Sequence, residues 1–357
     1  MKKFRGCLQG AVIGDCIGGI HDSSGSMHTY SEIAAKADPS SLKSKLVRAG
    51  DRHVFRFSGD SIAIQCASTS ILNHKSHLDV MKKSFQDCFS ESLKSRSSLR
   101  KAVSTSMILA NLESEQEAFD PTKFNLQGNC GVVRAIPCGL VNPSLAPMFA
   151  EATHSHSNAT SGALILANMI SQLLQDKTDF TSLTQVHGNY HSKFAAVKLL
   201  TLDPNGDLEE TKELQEKFQR KFGSNSSAVV AMSSGYFGFL RAMTCYSSRE
   251  SFEIPAYIKE LQAKDRSRNL AGNSNRLDSS KALDRETVVI EEESPIAMAI
   301  NWAISLGGDT RTNACIAGAL AGTYWGDDHI PDEWRLYCEG TSEAETLAAK
   351  LYSSVNG

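Results

Sequence analysis

The 357-residue chain has no apolar run approaching the ~20 residues of a membrane-spanning helix, no surplus of positive charge and no cysteines spaced as CxxC. Each absence closes a class of function. Without a long apolar run, no helical membrane span is expected. With 37 Lys and Arg against 40 Asp and Glu, the formal net charge is −3. No general basic surface exists to hold nucleic acid by counterion release. The nine cysteines stand singly at 7, 16, 66, 88, 130, 138, 245, 315 and 338. An odd, scattered set argues against a disulfide framework and against a structural zinc site, and reads as free, buried thiols. The chain opens on Lys2, Lys3 and Arg5, but Asp15 interrupts the apolar stretch behind them. No secretory signal is read, and a cytoplasmic location is the expectation.

What is present is helical spacing. Apolar residues recur on one face over 61–72, 78–93 and 98–112, and the pattern continues over 194–200, 208–222 and 228–243. Segment 159–174 is apolar almost all round, as suits a central buried helix. Segments 295–304 and 314–324 are apolar and rich in small residues, which let helix backbones approach closely. Only 54–57 and 287–290 tempt a strand reading, and both are short. The fold class read is all-α, in one domain over 1–357. Residues 264–286 are polar and charged without a core face, and read as an exposed loop or mobile insertion.

Five short segments gather Gly, Asp, Ser, Thr and His: 10–22 (GAVIGDCIGGIHD), 57–61 (FSGDS), 127–134 (QGNCGVVR), 153–157 (THSHS) and 305–312 (SLGGDTRT). Gly307, Gly308, Asp309 and Thr310 ahead of a helix would set backbone N–H groups and hard oxygen ligands at a positive helix terminus. Ser58 to Ser61 would do the same, although Ser58 or Asp60 serves equally as a plain N-cap. Gly128, Asn129, Cys130 and Gly131 form a flexible turn able to approach a phosphate or ribose. Each segment alone is weak.

Their order and spacing together resemble the ADP-ribosylhydrolase family. That family's G-x-x-x-G-D-x-x-G is similar to residues 10–18, its T-D-D-T to 58–61, its G-N-G-[GS]-x-M-R to 128–134 and its T-H to Thr153-His154. Its G-G-D-T-D-T-x-A-x-x-A-G-x-x-x-G signature is similar to residues 307–322. The tail, with Tyr324-Trp325-Gly326, Pro331, Trp334 and Cys338-Glu339-Gly340, resembles the poly- and serine-ADP-ribose hydrolase branch. The resemblance implies a compact many-helix globule with a central cleft. It also implies a dinuclear Mg²⁺ site that cleaves ADP-ribose from its acceptor.

The chain departs from the family at the metal positions. Where T-D-D supplies Thr, Asp and Asp, it has Ser58, Gly59 and Asp60. Where D-T-D-T supplies a second carboxylate, it has Arg311 between Thr310 and Thr312, after Asp309. Two carboxylates are lost and a fixed cation is gained. A unit charge pair ~4 Å apart is worth about 4 kcal/mol at an effective dielectric of 20, and roughly twice that against a divalent ion. The metal positions Ser58, Asp60, Asp309 and Thr312 are therefore expected to be vestigial, with no cofactor needed. Arg311 is expected either to replace the metal by pairing with Asp60 and Asp309 or to point to solvent.

The acid/base position implied by the resemblance falls on Asp22, one methylene shorter than the family's Glu, with Glu32 as a substitute if the loop bends. Gly128, Asn129, Cys130, Gly131 and His154 are the implied ligand-binding positions. A Cys130 side chain would intrude if its φ were positive. His154 is either beside the ligand or a hydrogen-bonded core histidine. Asp15 is expected to hold the N-terminal helix to a loop, and Thr310 and Thr312 to cap the last signature helix.

Three functions follow. The first is a catalytically degenerate member, a structural protein such as the J-type lens crystallins of box jellyfish, self-associating at high concentration. The second is a weakly active or single-Mg²⁺ hydrolase. The third is an ADP-ribose-binding module without turnover.

Overall fold

The computed structural model describes residues 1–21, 30–37, 46–49, 52–74, 77–95, 126–180, 182–183, 188–201, 212–247 and 293–357. Their regular structure is almost wholly helical. In chain order it comprises α1 (Lys2–His21), α2 (Tyr30–Ala37), β1 (Val47–Ala49), β2 (Arg52–Val54), α3 (Gly59–Asn73) and α4 (Leu78–Ser95). Then come α5 (Cys130–Val133), α6 (Ile136–Val141), α7 (Ala146–Glu151), α8 (Ser157–Leu174), α9 (Gly188–Thr201), α10 (Lys212–Phe222) and α11 (Ala228–Ser247). The chain closes with α12 (Pro295–Ser305), α13 (Thr310–Trp325), α14 (Asp332–Tyr337) and α15 (Thr341–Asn356). The all-α reading holds. β1 and β2 form one antiparallel hairpin with Val47 opposite Val54. Beyond Val54 the tempting strand stops. Phe55 makes a single bridge to Cys338, and Phe55 and Phe57 bury their rings in the helical core.

The centre is the pairing of α1 with α13. Gly6, Gly10, Gly14 and Gly18 recur every fourth residue and so share one face of α1. They lie against the backbone of Gly322, Gly318, Ala314 and Thr310 in turn, so the two helices run antiparallel. A Cβ on any of the four would overlap that backbone, and one at Gly318 or Gly322 would overlap α1. The small residues of α13 therefore serve close backbone approach. Segment 10–22, read above as a chemistry-bearing motif, is helix up to His21 for the same reason.

Around this seam, α12 is buried over its whole length, and α8 turns Ala159, Ala163, Leu166, Ala167, Ile170 and Leu173 inward. α4 shows a plain amphipathic face, with Met81, Phe85, Phe89 and Leu93 buried at four-residue spacing. One hydrophobic cluster runs from Phe4 to Leu351. The expected helix over 98–112, the strand over 287–290 and the insertion over 264–286 lie outside the described residues. No described helix is long and apolar enough to cross a membrane. None of the nine cysteines is in a disulfide, and eight of them are buried.

Candidate functional site

Four of the five segments meet where α1, α3, α5 and α13 come together. Asp15, fully buried on α1, is the hub. Its Oδ2 accepts from the backbone N–H of Ser58 at 2.7 Å, from that of Ser61 at 3.2 Å and from the Ser61 hydroxyl at 2.7 Å. Asp15 thus fixes the turn into α3, as its expected tethering role requires. Ser58 is the N-cap of α3, its hydroxyl accepting from the Asp60 N–H at 3.2 Å.

Arg311 is the one partly exposed residue in an otherwise buried run from Thr310 to Thr323 of α13. The expected pairing of Arg311 with Asp60 and Asp309 is corrected here. Its Nη1 donates to Asp15 Oδ1 at 3.2 Å, to the Asp15 carbonyl at 3.1 Å and to the Arg56 carbonyl at 3.2 Å. The physical reason is Gly19. A Cβ there would overlap the guanidinium, so its absence lets the arginine fold across α1. Asp60 and Asp309 are occupied otherwise. Asp60 Oδ2 accepts from the Thr312 hydroxyl at 2.6 Å, and Asp309 Oδ2 accepts from the Asn129 amide at 2.8 Å. Asp309, rather than Thr310 or Thr312, caps α13, and Thr310 donates to the Gly18 carbonyl at 2.8 Å. The turn into that cap needs Gly307 and Gly308, both with φ near +70°.

Burial pushes the Asp60 carboxyl well above the usual carboxylate range. The neighbouring charges of Asp15 and Asp309 push the same way, and the Thr312 hydrogen bond opposes them.

Behind Asn129 lies a second buried network. The Asn129 N–H donates to the Ser226 carbonyl at 3.0 Å, and Gly128 bridges to Ser227, so the turn is pinned to the start of α11. Cys130 opens α5 on ordinary helical backbone, so the strain considered above does not arise. Its Sγ lies 3.3 Å from His154 Nε2. Gly131 leaves the room in which the His154 ring sits. His154 is fully buried, and its Nδ1 is 2.7 Å from the Thr153 hydroxyl. It is thus buried and held by Thr153 and Cys130. Burial, reinforced by the nearby Arg134 charge, lowers its pKa to about 3, so it stands neutral.

Arg134 closes this network and was not singled out from the sequence. It is fully buried, donates to the Cys130 carbonyl at 2.9 Å and to the Thr153 hydroxyl, and lies over the rings of Phe85 and Phe89. The available signal was a lone arginine inside an apolar stretch that also closes the third motif. Asp22 lies outside the described residues. Glu32 is exposed on α2.

The donor set can be compared with what two Mg²⁺ ions need, about six hard oxygens each in near-octahedral geometry. The side-chain donors here are two carboxylates, Asp60 and Asp309, with the hydroxyls of Ser58, Thr310 and Thr312, already engaged in the bonds above. A guanidinium stands beside them. Among the described residues, no group of three or more His, Cys, Asp or Glu could hold a metal ion. The described side chains do not fit a dinuclear Mg²⁺ centre.

A family model described as ADP-ribosylglycohydrolase matches residues 1–357. The chain is 24% identical to ADP-ribosylhydrolase ARH3 of Gallus gallus, over 98% of this chain and 92% of that protein. It is 24% identical to the Homo sapiens protein of the same name, over 99% and 93%, and 25% identical to the Danio rerio one, over 99% and 90%. A solved structure titled ADP-ribosylglycohydrolase-related protein complex superposes with a TM-score of 0.55 at 17% identity. It covers 99% of this chain and 97% of that one, a likeness of fold.

Proposed function

Because this chain belongs to the ADP-ribosylglycohydrolase family, we propose that it is a catalytically degenerate member: the scaffold is kept while the dinuclear Mg²⁺ site has eroded. The observation that carries this reading is Arg311, a fixed cation bonded to Asp15 at the position where the family motif has a carboxylate. A divalent ion at Asp60 and Asp309 would have to approach that guanidinium. It would do so without the carboxylate that Gly59 replaces. The vestigial metal positions are Ser58, Asp60, Asp309 and Thr312, and Asp22 is the vestigial acid/base position. The role that remains is structural, of the kind the J-type lens crystallins represent.

A second reading rests on a different observation. Asp60, Thr312, Asp309 and Asn129 are joined through hydrogen bonds and the α13 cap, and the Asn129 turn is anchored at its main chain. That group supports a residual site for one hard cation or for ADP-ribose, the substrate moiety named for the relatives.

One experiment separates the two. Thermal unfolding of the wild type is measured with and without ~10 mM Mg²⁺, each with and without ADP-ribose. A ligand present at 100 times its dissociation constant stabilises the fold by about 2.7 kcal/mol. Degeneracy requires no shift in any arm. A shift that needs Mg²⁺ supports a hydrolase, and a shift with ADP-ribose alone supports a binding module.

A further inference from the structure

Away from this site, α3 and α4 meet along an antiparallel seam. Ser70 Oγ lies 3.4 Å from Ser84 Oγ, and one turn nearer the start of α3 Cys66 Sγ lies 2.7 Å from Cys88 Sγ. Ser92 Oγ is 3.8 Å from Cys66 Sγ. The two sulfurs share one hydrogen bond and differ in access: Cys66 is 2% exposed, while Cys88 is half-buried. The other seven thiols are all buried.

We propose that Cys66 and Cys88 form a reversible disulfide on exposure to hydrogen peroxide, with Cys88 as the attacking thiol and Cys66 as the resolving one. The geometry carries the assignment, since only Cys88 combines access with a second sulfur in contact. The Cys66–Cys88 contact also lowers the Cys88 pKa below that of an ordinary thiol, which favours its thiolate. The Cys88 thiolate attacks one peroxide oxygen, the O–O bond breaks, and the departing hydroxide takes up a proton to leave as water. Cys88 is then a sulfenic acid. The Cys66 sulfur attacks the Cys88 sulfur, the S–O bond breaks, and hydroxide leaves with the Cys66 proton as a second water. Two thiols and one peroxide give one disulfide and two waters.

The consequence reaches the polar site through packing. α3 begins at the turn carrying Ser58 and Asp60. α4 presents Phe85 and Phe89, on which Arg134 rests, to either side of Cys88. A covalent link between α3 and α4 fixes that wall.

The test is peptide mapping of the full-length protein by mass spectrometry under non-reducing conditions, after graded hydrogen peroxide and after reversal with dithiothreitol. The expected product is a Cys66–Cys88 cross-linked peptide, formed before any change at the other seven cysteines and lost on reduction. Cys66→Ser is expected to accumulate a sulfenic acid at Cys88 that dimedone traps, and Cys88→Ser to leave Cys66 reduced. Modification of Cys88 in the wild type without a link to Cys66, or earlier oxidation at another cysteine, would overturn the proposal. The wild-type map decides even if a serine variant fails to fold.

Discussion

The same two helices carry the least and the most forgiving regions of the molecule. Along the α1–α13 seam, each of four glycines faces backbone, and a single carbon on any of them has nowhere to go. At the end of that seam, Asp15 and Arg311 sit among side chains and carbonyls that re-pair. There the Arg311 guanidinium is accommodated by two backbone carbonyls, the Asp15 carboxylate and the space over Gly19. Backbone cannot yield to a side chain, whereas a polar cluster can exchange partners. Substitutions at the polar end are therefore expected to disturb the packing of this scaffold less than substitutions along the seam.

The largest expected effect lies on the seam. Gly10→Ala should lower stability by about 3 kcal/mol or more, because the new methyl meets the Gly318 backbone. Urea unfolding measures it, and a change under about 1 kcal/mol would show that the seam opens more easily than its geometry allows. At the polar end the effects shrink. Asp15→Asn keeps an oxygen for Ser58 and Ser61 but turns an amide toward Arg311, losing a charge-assisted pair. A loss of about 2 kcal/mol is expected by the same measurement.

Asp60→Asn should have the smallest effect and the opposite sign, stabilising the fold by about 1 kcal/mol near neutral pH. The amide keeps an acceptor for Thr312 and removes a charge that burial and two neighbouring carboxylates disfavour. The pH dependence checks the sign. With its folded pKa raised, Asp60 weakens the native state increasingly as pH climbs from 3.8, its ordinary value, through the raised one. His154 works the other way. Its folded pKa is depressed to about 3 from 6.5, so its contribution is present above 6.5 and is lost as pH falls toward 3. Removing the Asp60 carboxyl leaves the His154 slope less opposed. The variant's advantage over wild type should be greatest near neutral pH and should vanish toward pH 4. Destabilisation at pH 7 would contradict this.

Much of this frame was legible beforehand, for reasons visible in particular residues. The face of α4 shows in Met81, Phe85, Phe89 and Leu93, and the small residues of α13 announce close packing. The α1 glycines were read as motif rather than seam, because glycine marks turns and close helix contacts alike and only the partner backbone tells them apart. Arg311 was recognised as the anomalous residue, but not its partner. Three carboxylates lie nearby in the family pattern, and the choice among them depends on Gly19 and on Thr312 having already engaged Asp60. Cys66 and Cys88 carry no mutual signal in sequence, since no short spacing links residues on separate helices.

We propose that charge, rather than fold, keeps a divalent cation from Asp60 and Asp309. The variant Gly59→Asp with Arg311→Asp places carboxylates at both positions. Position 59 opens a helix and has space for a side chain, the nearest atom a Cβ would meet being Leu93 Cδ2 at 3.7 Å, so the substitution is tolerated sterically. Isothermal titration of Mg²⁺ into the wild type and the double variant is the direct measurement. No binding heat is expected for the wild type, and saturable binding is expected for the variant. Equal Mg²⁺ binding by the two proteins, or none by the variant when it is folded, would contradict it.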